Sequence, residues 1–217
     1  MRVLCIAIGN TLRGDDGVAH CIAQQIERED GVVVLDVFQL APELALEVAE
    51  SEIAIFIDAD IDARAAVIEP LEPEAQGTPL LHSMSPREIV WLASHLYGFR
   101  GRAYVVRVPV ESFEDGEGLT AVAEAGARES LVLLEQLMRE RVRVQLEGAV
   151  QGVGFRPFVY RVANELGLSG WVRNSPAGLT VEVEGGGAEV RRFLERVEHE
   201  RPSPAVVLSS REREPDA

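Results

Sequence analysis

A short apolar run, Val3-Leu4-Cys5-Ile6-Ala7-Ile8, stops at Gly9, and a segment with helical spacing of apolar residues begins at Val18. The run reads as a buried strand over residues 2–8, and the later segment as an amphipathic helix over 17–27. Between them lies Gly9-Asn10-Thr11-Leu12-Arg13-Gly14-Asp15-Asp16-Gly17. Strand, glycine-rich loop, helix is the order in which α/β proteins build sites at the carboxyl end of a strand. Asp15 and Asp16 precede a helix amino terminus, where the dipole favours negative charge. One of them is expected to cap that helix, which leaves the other to face a ligand.

The same alternation continues. Residues 32–35 and 53–57 read as further buried strands ending in Asp36 and Asp58, with a helix over 42–50 between them. A short strand at 65–68, a Pro/Glu/Gly-rich loop at 70–81, a helix at 86–97, a strand at 103–108 and a closing helix at 119–139 follow. Strands alternating with helices predict an α/β fold, a mainly parallel sheet with helices on both faces. At Arg141 the pattern changes. Val142-Arg-Val-Gln-Leu146 alternates apolar and polar residues, as a half-buried antiparallel strand does. A helix at 157–166, a hairpin of 170–174 with 179–183, a helix at 190–197 and a strand at 205–209 complete the order βαββαβ. That is the order of a ferredoxin-like α+β domain. Two domains are therefore expected, 1–140 and 141–217.

Charge supports the division. The net charge is −15, which argues against general binding to nucleic acid or to an anionic membrane. Residues 141–217 hold 11 Arg and 11 acidic residues, whereas residues 1–140 hold 10 Arg and 25 acidic residues. Cys5 and Cys21, in an apolar strand and helix, are expected to be buried reduced thiols, which suits a cytoplasmic protein. No stretch approaches the length of a membrane span.

Asp16, Asp58 and His82 form an oxygen, oxygen, nitrogen set that could hold a divalent metal such as nickel or zinc with positions left open. On residues alone, the same positions read equally as an N-cap, a strand-end turn residue and a surface histidine. Residues 1–140 resemble the hydrogenase maturation endopeptidases. The resemblance rests on Gly9-Asn10-x-Leu12-x-x-Asp15-Asp16-Gly17, Ile57-Asp58-Ala59, His82 ahead of Ser-x-Ser-Pro, and Gln39-Leu40-x-Pro42-Glu43. It implies removal of a C-terminal peptide from the large subunit of a nickel–iron hydrogenase after nickel has been installed. Asp16, Asp58 and His82 match that family's nickel-contacting positions, with the metal carried by the substrate. The route of peptide hydrolysis stays open, since no Ser-His-Asp or Cys-His arrangement stands out; a carboxylate could serve as base toward water.

Val150-Gln151-Gly152-Val153-Gly154-Phe155-Arg156-Pro157 is the sharpest motif. Gly152 and Gly154 let successive N–H groups turn inward as an anion nest, and Pro157 is placed to start a helix facing the same anion. The expected phosphate-binding stretch is Gln151, Gly152, Val153, Gly154, Phe155 and Arg156. Arg156 adds a bidentate charge, and the amide of Asn174 could orient a water for attack on phosphorus. The alternative is a plain turn with a surface Arg and Asn. Residues 141–217 resemble an acylphosphatase domain. Gly148 to Arg173, with Phe158-Val159-Tyr160-Arg161 and Gly170-Trp171-Val172-Arg173-Asn174, is most similar to the amino-terminal domain of the hydrogenase-maturation carbamoyltransferases. That resemblance implies catalytic roles for Arg156, on the phosphoryl group, and Asn174, on the water, with carbamoyl phosphate as a candidate substrate. Both resemblances point to hydrogenase maturation by a bifunctional hydrolase. The second reading is an acylphosphatase alone, with the first domain a non-catalytic metal-sensing docking module.

Overall fold

The computed structural model describes residues 2–27, 31–73, 84–116, 118–146, 154–175, 178–200 and 210–213. The chain forms two compact units, Met1–Leu134 and Glu135–Ala217.

In the first unit, β1 (Val3–Ile8), β2 (Val32–Val37), β3 (Ile53–Asp60), β4 (Val67–Pro70) and β5 (Arg102–Pro109) make one sheet in the order β2-β1-β3-β5-β4. The first four strands of that order run parallel, and β4 is an antiparallel edge strand. Helices α1 (Val18–Ile26), α2 (Leu44–Ala49), α3 (Pro86–Tyr97) and α4 (Ala121–Leu137) connect or follow them. Side chains alternate between faces along a strand. Leu4, Ile6, Ala54 and Phe56 therefore point one way, into a core shared with Ala45 and Val48 of α2 and Ile89 and Ala93 of α3. Their neighbours Val3, Cys5, Ile55 and Ile57 point the other way and are buried as well. Helix α1, whose buried residues lie outside the first core, packs on the same strands. The expected doubly covered sheet is what the chain forms.

Local chemistry sets the boundaries. Ser85 caps α3: its hydroxyl accepts from the Glu88 N–H (3.3 Å), and its own N–H donates to Glu88 Oε2 (2.7 Å). Pro86 occupies the first turn, and Gly98 ends the helix in the left-handed region. Strand β3 runs three residues past its expected end because it stays paired with β5 through Asp60 opposite Pro109. Asp58 thus lies within a strand. Cys21 is exposed, contrary to the expectation for both thiols, while Cys5 is buried. It falls off the buried stripe of Val18, Ala19, Ile22, Ala23 and Ile26.

The second unit contains β6 (Arg139–Leu146), α5 (Phe155–Glu165), β7 (Ser169–Ser175), β8 (Gly178–Gly186), α6 (Gly187–His199) and β9 (Ser210–Arg213). Its sheet has the order β7-β8-β6-β9 with antiparallel neighbours, the ferredoxin-like arrangement. The last strand is described at Ser210–Arg213; residues 205–209, where the sequence places it, lie outside the described residues. One face buries Val142, Val144, Val181 and Val183 against Phe158, Val162, Phe193 and Val197. The other carries cross-strand ion pairs, Arg143 with Glu182 and Arg141 with Glu184, each at 2.7 Å. The division between units falls in the last turn of α4, and only Met138 separates α4 from β6.

Phe56 is fully buried at the centre of the first sheet. Phe56→Ala should lower unfolding free energy by about 3–5 kcal/mol, read as an earlier urea transition of the first unit.

Candidate functional site

The chain leaves β1 for β2 on one side of the sheet, and β3 lies on the other side of β1. The order therefore reverses between β1 and β3, and the crevice beyond their carboxyl ends is where open α/β sheets place ligands. Asp16 follows β1 and Asp58 lies near the end of β3, so both expected metal-facing carboxylates border that crevice.

Neither Asp15 nor Asp16 caps α1, contrary to expectation. A 3₁₀ turn, Gly14–Gly17, feeds the helix directly, and Gly17 is its cap residue without a side-chain bond. The two carboxylates diverge instead. Asp16 Oδ2 accepts the Asn10 N–H at 2.9 Å. That closure needs Gly9, at φ +142, because a Cβ there would run into the Asp16 carbonyl oxygen. Asp15 turns inward and is 1% exposed. Its oxygens accept from the Thr120 N–H (2.7 Å), the Thr120 hydroxyl (2.8 Å), the Glu111 N–H (2.9 Å) and, more weakly, the Ser112 N–H (3.4 Å). Desolvation pushes the Asp15 carboxyl up, but these donors outweigh it and hold the pKa below the ordinary carboxylate value. Asp15 is thus the fastener between the loop after β1 and the loop after β5. Thr120 in turn accepts the Ala123 N–H at the start of α4 (3.3 Å).

Asp58 has the opposite environment. Its pKa is raised to about 6, first of all by burial and in lesser part by the charges of Asp16 and Asp60, against the opposing Ala59 N–H and Arg107 guanidinium. Arg107 is occupied by Asp60 (3.2 Å) and Glu69 (3.3 Å). Two carboxylates that repel each other at a crevice suit a divalent cation, which relieves that repulsion. His82 lies outside the described residues. Among the described residues no three His, Cys, Asp or Glu side chains gather into a metal-holding group.

In the second unit, Leu179 of β8 pairs with both Leu146 of β6 and Asn174 of β7. Leu146 is the last residue of β6, and Gly154 caps α5 in the left-handed region (φ +78); residues 147–153 lie outside the described residues. Asn174 therefore stands level with the end of β6, two strands across. By alternation it shares a face with Val172, which packs on the helical core. Arg156 is the second residue of α5 and is exposed. Helix α5 starts two residues earlier than expected, at Phe155, so Pro157 is its third residue. Phe155 is buried and packs edge-on against Phe158 at 5.7 Å, which draws the start of the helix into the core. Phe155 can thus offer an anion only its backbone N–H.

The acylphosphatase family pattern matches residues 142–216. An acylphosphatase from Caldivirga maquilingensis is 50% identical over 77 residues, which make up 35% of this chain and 79% of that protein. The chain belongs to the acylphosphatase family. Carbamoyltransferase HypF2 from Cupriavidus necator is 52% identical to the acylphosphatase unit over 67 residues, 31% of this chain. The chain spans less than a tenth of the length of such carbamoyltransferases. Among solved structures, the hydrogenase maturating endopeptidase HybD from E. coli is similar in structure, with 24% identity, a TM-score of 0.47, and coverage of 64% of this chain and 92% of that one.

Of the expected site residues, Asp16 and Asp58 come together at one crevice, and Gly154, Phe155, Arg156 and Asn174 are placed in the acylphosphatase unit. Gln151, Gly152 and Val153 lie outside the described residues. Asp60 and Arg107 are the participants that sequence reasoning passes over; Asp15 is named there as one of an acidic doublet before a helix, but not as the tie to residues 111–120.

Asp15→Ala should strand part-buried N–H groups in the loop after β5 and destabilise the chain by about 2–4 kcal/mol, measured by denaturant titration. Because its folded pKa is depressed, Asp15 supports the fold fully above its ordinary value, and that support is lost as pH falls through the folded one. Asp58 has the reverse sign. Its extra proton in the folded state makes stability fall as pH rises from about 4 toward its folded value of about 6. Carboxyl NMR should place the Asp58 midpoint at about 6, and Asp16→Asn should move it down.

Proposed function

We propose that this chain is a two-activity hydrolase of hydrogenase maturation. Its acylphosphatase unit hydrolyses an acyl phosphate, for which the similarity to carbamoyltransferases makes carbamoyl phosphate the leading candidate. Its first unit is an endopeptidase that removes the C-terminal peptide of a nickel–iron hydrogenase large subunit.

The observation that supports the first activity is the shared pairing of Leu179, which sets Asn174 level with the end of β6, the strand that precedes α5 and Arg156 in the chain. In this reading the phosphoryl group lies on the N–H groups at the start of α5, with Arg156 across two of its oxygens. The Asn174 amide orients a water in line with the bond to be broken. Water oxygen bonds to phosphorus, the phosphorus–oxygen bond to the acyl group breaks, and phosphate and the carboxylate leave.

For the second activity, support comes from the crevice between β1 and β3. Asp16 and Asp58 supply two oxygen donors there, and His82 is proposed as a nitrogen donor. The nickel belongs to the substrate in this reading. A loaded and an empty subunit would then differ in their interaction with the crevice, which is what allows cleavage to be gated by loading.

Two assays test these assignments. Arg156→Ala should lower kcat/KM for a small acyl phosphate by about a thousandfold. Asn174→Ala should lower kcat by roughly a hundredfold or more with little change in KM; wild-type turnover in either variant removes that residue from the reaction. Asp16→Ala should block processing of a nickel-loaded large subunit while leaving acyl-phosphate hydrolysis intact. Should the wild-type chain fail to cleave a verified loaded subunit, the first unit becomes a metal-sensing docking module.

A further inference from the structure

Leu12, Phe38 and Ile61 are 76%, 74% and 51% exposed. Single exposed apolar side chains are ordinary. These three are placed alike: Leu12 lies in the loop leaving β1, Phe38 directly follows β2, and Ile61 directly follows β3. The three strands are parallel neighbours, so all three side chains stand on one edge of the sheet, the edge that holds the Asp16 and Asp58 crevice. Local chemistry holds two of these loops in place. The Leu12 N–H donates to the Asn10 side chain (2.9 Å), and Asp60 accepts the N–H groups of Asp62 (2.9 Å) and Ala63 (3.2 Å) just after Ile61.

The charge around this apolar set decides what can cover it. Along the strand ends and loops of the same edge, residues 9–17, 38–43, 58–66 and 107–120, the described residues include nine carboxylates and three arginines. Two of those arginines are already held, Arg13 by Asp115 (3.8 Å) and Arg107 by Asp60 (3.2 Å). The opposite edge, residues 2, 27, 50–52 and 98–102, holds three of each sign. The described residues of the edge that exposes the apolar side chains thus carry six more carboxylates than arginines (9 against 3), whereas those of the opposite edge are balanced. An acidic or neutral partner would cover the apolar groups only by burying like or unmatched charge.

We propose that this edge docks a polypeptide segment in which arginine or lysine alternates with bulky apolar residues. The proposal deepens the reading of the first unit as a site acting on a polypeptide. The apolar side chains of the segment cover Leu12, Phe38 and Ile61, and its cations meet the surrounding carboxylates. The two contributions have separable signatures. Attraction between charges weakens as salt shortens the screening length, whereas apolar burial does not.

Fluorescence anisotropy with the full chain tests this, using three short labelled peptides: arginine alternating with leucine, glutamate alternating with leucine, and arginine alternating with serine. The arginine–leucine peptide should bind about tenfold tighter than either of the others, and raising salt should weaken it several-fold. Phe38→Ser and Leu12→Ser should each weaken it about threefold or more, with acyl-phosphate hydrolysis unchanged in both. Equal affinity for the arginine–leucine and glutamate–leucine peptides, or unchanged affinity in both variants, overturns the proposal. Selective binding by a chain that leaves the loaded large subunit uncut keeps the docking surface and removes the endopeptidase reading. Cleavage by the Leu12→Ser/Phe38→Ser double variant at wild-type KM does the reverse.

Discussion

The Asp15 carboxylate is the point on which the first unit's crevice depends. A buried charge survives only if donors replace the water it has lost, and here the replacements come from residues 111–120. The loop after β1 is thereby tied to the loop after β5, although β3 lies between those strands in the sheet. Asp16 is the next residue along the chain. Its position is inherited from Asp15 on one side and from the contact of Gly9 with its carbonyl on the other. The adjacent carboxylates divide the work: one is spent on structure, and the other is left at the crevice with Asp58.

Asp58 shows what such an arrangement does to neighbouring groups. A carboxyl that is partly desolvated and faces two other acids is easily protonated, and Arg107, engaged by Asp60 and Glu69, does not reverse this. The same accumulation of acid recurs more broadly along that edge, among exposed apolar side chains. In the acylphosphatase unit charge is handled differently. Its open sheet face matches arginine to glutamate across strands, and Arg156 stands at a helix start.

What could be read from the sequence depended on how far apart the causes lie. Helix α3 was legible to the residue, 86–97, because Ser85, Pro86, Glu88 and Gly98 are all local signals. The ferredoxin-like order of the second unit was legible because its apolar alternation begins cleanly at Val142. Asp58 and Asn174 were both recognisable as strand-end residues, though β3 continues past Asp58. The start of α5 was misjudged because burial of Phe155 outweighs the local preference of Pro157 for a first turn. Cys21 departs from expectation because the sequence reading sets it on the apolar face of an amphipathic helix, whereas the buried residues Val18, Ala19, Ile22, Ala23 and Ile26 leave it off that face. Asp15 was out of reach, since its partners are about a hundred residues away in the chain and a doublet of acids says nothing about which one turns inward.

Leu179 has a consequence beyond placing a single amide. Its two partners, Leu146 and Asn174, belong to different strands, so the alignment of the proposed water-orienting group with the end of β6 is a property of backbone pairing. A slip of one residue between β7 and β8 would leave every strand formed but send Asn174 to the opposite face. Such a species would pass most tests of secondary structure and compactness while being chemically silent. Turnover of an acyl phosphate is therefore a reporter of hairpin fidelity in this unit, able to count correctly threaded molecules that spectroscopy would not distinguish from their misaligned neighbours.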